Sequence, residues 1–331
     1  RYAIAYREGS RLRSIGRFRR FLRDQRADVA YVLDMAYLGV LAAAGHRLRY
    51  GGRMIVDTGD AIAALARSSG MRGPVGVGLT AGLEQFGLRV ADHIVVRGTY
   101  HAELLSRRGI SATVIPDGVD VDEFAAGDGV AIRRELALEG RTVVGLVGSS
   151  IWSEKLGMCY GWDLVELLGL DREVCGLMVG DGSGIERLRR RADELGVLGR
   201  LRFAGRVAYP RLPDYIAAMD ICLSTQSNDV VGRVRTTGKL PLYLAAGRFV
   251  LASRVGEAAR VLPEEMLVDY RGVKDPAYPA RLAGRLARFS AAVERARFAD
   301  NMRSVARCHF AYPVLAEKLV NCVRRVIGTM Q

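Results

Sequence analysis

The chain has 331 residues, half of them hydrophobic, and carries 49 Lys and Arg against 36 Asp and Glu, a formal net charge of +13 at pH 7. That length and apolar content suffice for one large or two medium cores, and two domains are expected of an α/β chain of this size. Cys159, Cys175, Cys222, Cys308 and Cys322 lack metal-ligand spacing, which predicts reduced, mostly buried thiols in a cytoplasmic setting and no bound metal. No uninterrupted apolar run reaches about 18 residues and no charged-then-apolar leader precedes a small-residue cleavage site, so neither a membrane span nor a secretion signal is predicted.

Residues 2–6 (YAIAY) read as a strand. Arg11, Arg13, Arg17, Arg19, Arg20 and Arg23 then alternate with Ile15, Phe18, Phe21 and Leu22 in the pattern of a basic amphipathic helix. Nine arginines stand against Glu8 and Asp24 in residues 1–26. Such a face suits an anionic membrane leaflet, at roughly 1 kcal/mol per cation near the surface. Stacking aromatics and nucleic-acid motifs are absent, so a peripheral membrane contact through residues 11–26 ranks above nucleic acid, which is not expected as a partner. A solvated helix face is the plain alternative.

Strands follow at 28–33, 53–57, 92–96 and 112–115, alternating with helices at 37–44, 82–91 and 100–108. This spacing defines βαβ units on a parallel sheet. The Pro116-Asp117-Gly118 turn closes the series. A second series has strands at 142–148, 174–180, 201–205, 220–225 and 248–253. Its helices end at 170 and span 185–195, 211–218 and 240–246, before a last helix at 314–327. The fold class is therefore α/β with two Rossmann-like domains. The predicted division is 1–125, 126–310 and a C-terminal helical segment 311–331.

The segment 232–257, GRVRTTGKLPLYLAAGRFVLASRVGE, concentrates most of the chemistry. Arg233, Arg235 and Lys239 surround Thr236, Thr237 and Gly238, small residues that admit a ligand close to the backbone. A helix over 240–246 would aim its N-terminal N–H groups at an anion held there. Gly247 ends that helix and a buried strand follows. An ordinary αβ unit with a solvated basic loop fits the spacing equally well. Gly180-Asp181-Gly182-Ser183-Gly184 also follows a strand. It fails the G-x-G-x-x-G spacing, and no acidic residue ends the next strand, so it is not a dinucleotide fingerprint. Asp57 and Asp60 stand at a strand's C-terminal end, where α/β ligands bind. His93 and His101 read as structural.

Residues 237–253 followed by Val255-Gly256-Glu257 resemble the donor-phosphate loop, helix and strand of GT-B glycosyltransferases, especially family 4. Residues 91–97 and 114–124, ADHIVVR and VIPDGVDVDEF, resemble the end of that family's N-terminal domain. The resemblance implies two Rossmann-like domains facing across a cleft, and a retaining, metal-independent transfer of a sugar from a nucleotide-diphosphate donor to a saccharide or lipid acceptor, as in envelope or exopolysaccharide glycan synthesis. The donor is a substrate and no cofactor is implied. Lys155, Arg233 and Lys239 take the positions of the catalytic cations. Gly148, Ser149, Gly180, Gly182, Arg206, Val207, Arg235, Thr236, Thr237, Gly238 and Leu242 take donor-binding positions, and Asp57 and Asp60 acceptor-side ones.

Lysine is rare here, and two of the four, Lys155 and Lys239, fall at phosphate positions, whereas Lys274 and Lys318 do not. A compact ammonium points between phosphate oxygens where a guanidinium fork would not fit. The family's glutamate pair is replaced by Val234 and Leu242, its usual histidine position is Gly59, and its partner arginine is Ser149. The N-terminal glycine-rich loop has no match, so an N-terminal domain lacking an upstream segment is expected. These departures favour a rival reading, a GT-B-like binding or scaffold protein without catalysis. A sugar-nucleotide epimerase is a second enzyme rival, but the inward acidic side chains it needs are scarce.

Overall fold

The computed structural model describes residues 2–6, 11–33, 37–70, 72–289 and 291–328. Arg1, Arg7 and Glu8, counted in the N-terminal charge above, lie outside the described residues, as does the side chain of Arg11. The chain divides into two compact units, Arg1–Pro116 with Leu315–Gln331, and Asp117–Val314.

The first unit runs α1 (Arg11–Gln25), β1 (Val29–Leu33), α2 (Tyr37–Tyr50), β2 (Arg53–Thr58), α3 (Ile62–Ser69), α4 (Pro74–Val90), β3 (His93–Val96), α5 (Thr99–Ser106) and β4 (Ala112–Val114). The strands are all parallel, in the order β1-β2-β3-β4. Successive side chains of a strand point to opposite faces, and the core divides accordingly. Met54, Val56, Ile94 and Val96 pack with Val40 and Ala43 of α2, Leu88 of α4 and Leu105 of α5 on one face, where Leu22 of α1 joins them. Ile55 and Val95 point the other way.

Residues 2–6 form no strand, and Tyr2, Ile4 and Tyr6 are exposed. An alternating apolar sequence becomes a strand only where a neighbour supplies its ladder. The helix expected from residue 82 begins at Pro74, which fits the first helical position because its missing N–H is not needed there. Gly76 and Gly78 obscured that start in the sequence.

The second unit runs α6 (Val121–Ala125), α7 (Val130–Glu135), β5 (Thr142–Val147), α8 (Trp162–Leu170), β6 (Val174–Val179), α9 (Ile185–Glu194), β7 (Leu201–Gly205), α10 (Leu212–Ala217), β8 (Ile221–Ser224), α11 (Val230–Val234), α12 (Lys239–Ala245), β9 (Phe249–Ser253), α13 (Ala258–Val261), β10 (Leu267–Val268), α14 (Tyr278–Arg288), α15 (Ala292–Ala296) and α16 (Ala299–His309). Its six parallel strands are ordered β10-β9-β8-β5-β6-β7. The chain therefore starts at the centre, builds to one edge, returns to the centre and builds to the other. That is the doubly wound arrangement, whose ligand crevice lies beyond the strand C-termini where the order reverses, here between β5 and β8. Both faces are covered by helices, so β6 and β9 are buried at every position.

Residues 117–125 belong to this second unit. Val119 N–H donates to Phe310 O at 2.9 Å, and Val121 and Phe124 join the large core. The final helix, α17 (Tyr312–Gly328), from Leu315 onward belongs to the first unit. There Leu315, Cys322 and Val326 cover the sheet face carrying Ile55, Val95 and Ile115.

Candidate functional site

At the C-terminal ends of β5, β6 and β7 the connecting loops lie on one another. Gly148 N–H donates to Val179 O at 2.9 Å, Gly180 N–H to Gly205 O at 2.8 Å, and Ser150 N–H to Asp181 O at 3.0 Å. The approach is close enough that a Cβ at Gly180 would stand 2.0 Å from Gly148 O, and one at Gly182 would stand 2.4 Å from Ser150 O. Only glycine fits these two positions. Their requirement is steric, between loops distant in sequence. Thus Gly148, Ser149, Gly180, Gly182 and the Gly205–Arg206 turn belong to one rim. Ser149 and Arg206 are exposed on it and Val207 packs inward.

The basic loop enters this rim from β8. Gln226 organises it: its backbone N–H donates to Ser253 Oγ at 2.8 Å, and its side-chain amide donates to Gly232 O at 2.9 Å and Arg235 O at 3.0 Å. Asp229 caps α11, accepting from Gly232 N–H at 2.9 Å. Arg233 is drawn into this framework, its Nε donating to Asn228 Oδ1 at 2.7 Å. Arg235 is exposed, Thr236 buried, and Thr237 Oγ1 is buried without a hydrogen-bond partner. α12 starts one residue earlier than expected and has seven residues. Leu240 N–H is already taken by Thr237 O at 2.9 Å, so the helix N-terminus offers less to an anion than the sequence implied. Its other end is as expected: Gly247 sits at φ 63°, Gly247 N–H donates to Leu244 O at 2.9 Å and Arg248 N–H to Tyr243 O at 3.0 Å, a Schellman motif.

Lys239 is the centre of the site. Its ammonium Nζ lies 3.4 Å from the centroid of the Tyr160 ring, and a Cβ at Gly148 would be 3.5 Å from it. The residue is half-buried, with its charged end against the Tyr160 ring. Among the described residues no carboxylate pairs with it. Burial, and secondarily the Arg235 charge, lower its pKa to about 7. Tyr160 is fixed by donating to Leu223 O at 2.9 Å, and Tyr243, on α12, accepts from Val147 N–H at 2.7 Å. A cation lodged at the sheet's reversal point without a carboxylate partner is arranged for an anionic ligand.

The other positions are more dispersed. Lys155 is exposed in the turn after β5 and has no partner among the described residues. Its neighbour Leu156 O accepts from Lys274 Nζ at 2.8 Å. Val234 is fully buried, and Leu242 is packed in the large core. Asp57 is also committed internally: it accepts from Tyr31 OH at 2.6 Å and pairs with Arg97 at 3.2 Å. Asp60 lies beyond β2, its carbonyl accepting from Thr58 Oγ1 at 2.8 Å. His101 is buried, and desolvation pulls its pKa down to about 4, while His93 meets Thr113 Oγ1 at 2.8 Å.

Sequence reasoning missed Tyr160, Gln226 and Asp163. Asp163 lies in the first turn of α8 and is buried, and burial followed by the Asp275 and Glu166 charges raises its pKa to about 7. Nothing local marks it, because an acid in the first turn of a helix is ordinarily a surface residue.

No family model matches this sequence. In the Anabaena HepE protein, solved in complex with UDP-glucose, the same fold covers 94% of this chain and 82% of that one, with a TM-score of 0.75 at 16% identity. The fold is that of the GT-B glycosyltransferases. Two curated relatives are similar in sequence. A D-inositol 3-phosphate glycosyltransferase of Geodermatophilus obscurus is 30% identical over 235 residues, covering 66% of this chain and 50% of the relative. A 2-deoxystreptamine N-acetyl-D-glucosaminyltransferase of Streptomyces fradiae is 28% identical over 165 residues, 46% of this chain and 38% of the relative. The matches thus span half or less of those relatives' lengths. Over those stretches the chain is similar in sequence to glycosyltransferases, and in fold to the GT-B glycosyltransferases.

Proposed function

We propose that this chain is a glycosyltransferase that takes a sugar from a nucleoside-diphosphate donor held by its second unit. The observation that carries the reading is Lys239, enclosed at the β5/β8 reversal without a carboxylate partner. The Arg235 charge acts on it, the two sequence relatives are named glycosyltransferases, and a protein with this fold is solved with UDP-glucose. The diphosphate lies against the Gly148 and Gly180 loops, with Ser149, Gly182, Arg206, Val207, Thr236 and Gly238 around the nucleotide. Lys239, Arg235, Arg233 and Lys155 offset the negative charge that develops on the departing diphosphate, the role a metal has in other transferases. Transfer proceeds with retention of anomeric configuration to a saccharide or lipid acceptor, in cytoplasmic assembly of an envelope or extracellular glycan. The α1 arginines would hold the protein on the inner leaflet.

A second reading, nucleotide-sugar binding without transfer, is favoured by Val234 and Leu242, which put hydrocarbon where the resemblance implies ribose-binding carboxylates. Calorimetry of the chain with UDP, GDP, ADP and their sugars tests both. Saturable binding that is lost in Lys239→Ala supports the donor site, and release of free sugar or glycoside from the bound donor separates transferase from binder. Absence of binding by every nucleotide would refute the donor site itself.

A further inference from the structure

The helices on one face of the first unit's sheet lie side by side, α2 packed between α1 and α4. α2 is shielded by its neighbours except at its last turn, where Leu48 is 89% exposed and Arg49 and Tyr50 are also exposed. α4 presents Val75 at 78%, Leu79 at 66% and Phe86 at 38% exposure. Their spacing puts them on a single helix face. The exposed residues between them, Gly78 and Gly82, have no side chain to interrupt this ridge. Glu84, the acidic residue of α4, is turned away and accepts from Ile62 N–H at 2.7 Å. On the other side of α2, Arg13, Arg19, Arg20, Arg23 and Arg26 are exposed, and Asp24, the acidic residue of α1, pairs with Arg23 at 3.0 Å.

We infer that α1 and α4 form one lipid-facing surface, the Val75-Leu79-Phe86 ridge entering an anionic bilayer while the α1 arginines hold its phosphates. The inference rests on the reading of α1 as the membrane-facing helix and adds the element that inserts. Charge complementarity selects the occupant. A second copy of the chain would bring arginine against arginine, and a nucleic acid backbone would leave the hydrocarbon ridge in water. No described helix is long and apolar enough to cross a membrane, so this contact is interfacial.

Flotation of the full chain with phosphatidylcholine vesicles, with and without phosphatidylglycerol, tests this. The expected result is binding that requires phosphatidylglycerol and declines with salt as the charges are screened. Leu79→Glu with Phe86→Glu should weaken it by about tenfold or more, since two apolar insertions are lost. Arg19→Glu with Arg20→Glu should weaken it and flatten the salt dependence. A Phe86→Trp variant, compared with the background from Trp152 and Trp162, should be quenched by brominated lipid, a readout that does not depend on a disruptive substitution. If the chain does not bind phosphatidylglycerol vesicles, both the α1 reading and this inference fail. If only the arginine variant matters and Phe86→Trp is not quenched, the inserting ridge fails while α1 stands. Salt-matched duplex DNA displacing the vesicles, or dimers that dissociate in the Leu79→Glu variant, would overturn the inference in favour of those partners.

Discussion

Lys239 should couple donor binding to a proton. Its charged form is disfavoured first by burial and then by Arg235, so the free protein holds it half-neutral at pH about 7. A bound diphosphate favours the charged form and raises that pKa, so binding above pH 7 takes up a proton. At pH 8 about nine-tenths of the lysine is neutral, so uptake should approach ~0.9 proton per donor, and each further pH unit should weaken Kd about tenfold. Calorimetry in two buffers of different ionisation enthalpy measures the uptake. A nucleotide sugar is the right probe, because its diphosphate does not titrate in this range. Lys239→Met should abolish the uptake, weaken binding most below pH 7, and leave an affinity that is flat with pH. The same substitution should raise the melting temperature of the free protein, since an enclosed ammonium without a counterion is destabilising. Stability has the opposite pH dependence. The folded pKa of about 7 lies below the ordinary lysine value of 10.5, so unfolding takes up a proton between those limits and the wild type gains stability as pH rises through that window. A Kd that stays constant from pH 6.5 to 9 with no proton uptake would refute the argument.

Other consequences are independent of the ligand. Asp163, raised to about 7 from 3.8, is neutral in the fold where the unfolded chain is ionised. Stability should fall as pH rises from 4 to 7, and urea melts of Asp163→Asn should show that slope flattened. Arg97→Ala removes the cation paired with buried Asp57 and should cost ~3 kcal/mol in chemical denaturation. A change within ~0.5 kcal/mol would mean Tyr31 alone satisfies the carboxylate. Gly180→Ala places a methyl 2.0 Å from Gly148 O, so it should destabilise the protein by ~3 kcal/mol or more and abolish donor binding, whereas the exposed Gly16→Ala should do neither.

Local chemistry made the architecture readable. Alternating β-rich and helical segments set the strands β1 to β9, though not the two-residue β10, and Gly247 with the apolar run before it set the end of α12 and the start of β9. Where a segment's structure depends on a neighbour, the sequence misled. Residues 2–6 have the alternation of a strand but form none, and the glycines of α4 concealed a helix that starts at Pro74. The sequence offered candidate site positions one by one, through resemblance and a clustering of cations. Their states were decided by packing between distant segments. Tyr160 encloses the Lys239 ammonium and burial lowers its pKa, Arg97 and Tyr31 take Asp57 inward, and the Gly148 and Ser150 carbonyls press on Gly180 and Gly182. The exposure of Val75, Leu79 and Phe86 likewise follows from where α4 lies in its layer. Propensity and periodicity act over a few residues and are written in the sequence. Desolvation, close approach and exposure depend on which distant residues arrive beside a side chain, and only the tertiary structure fixes that.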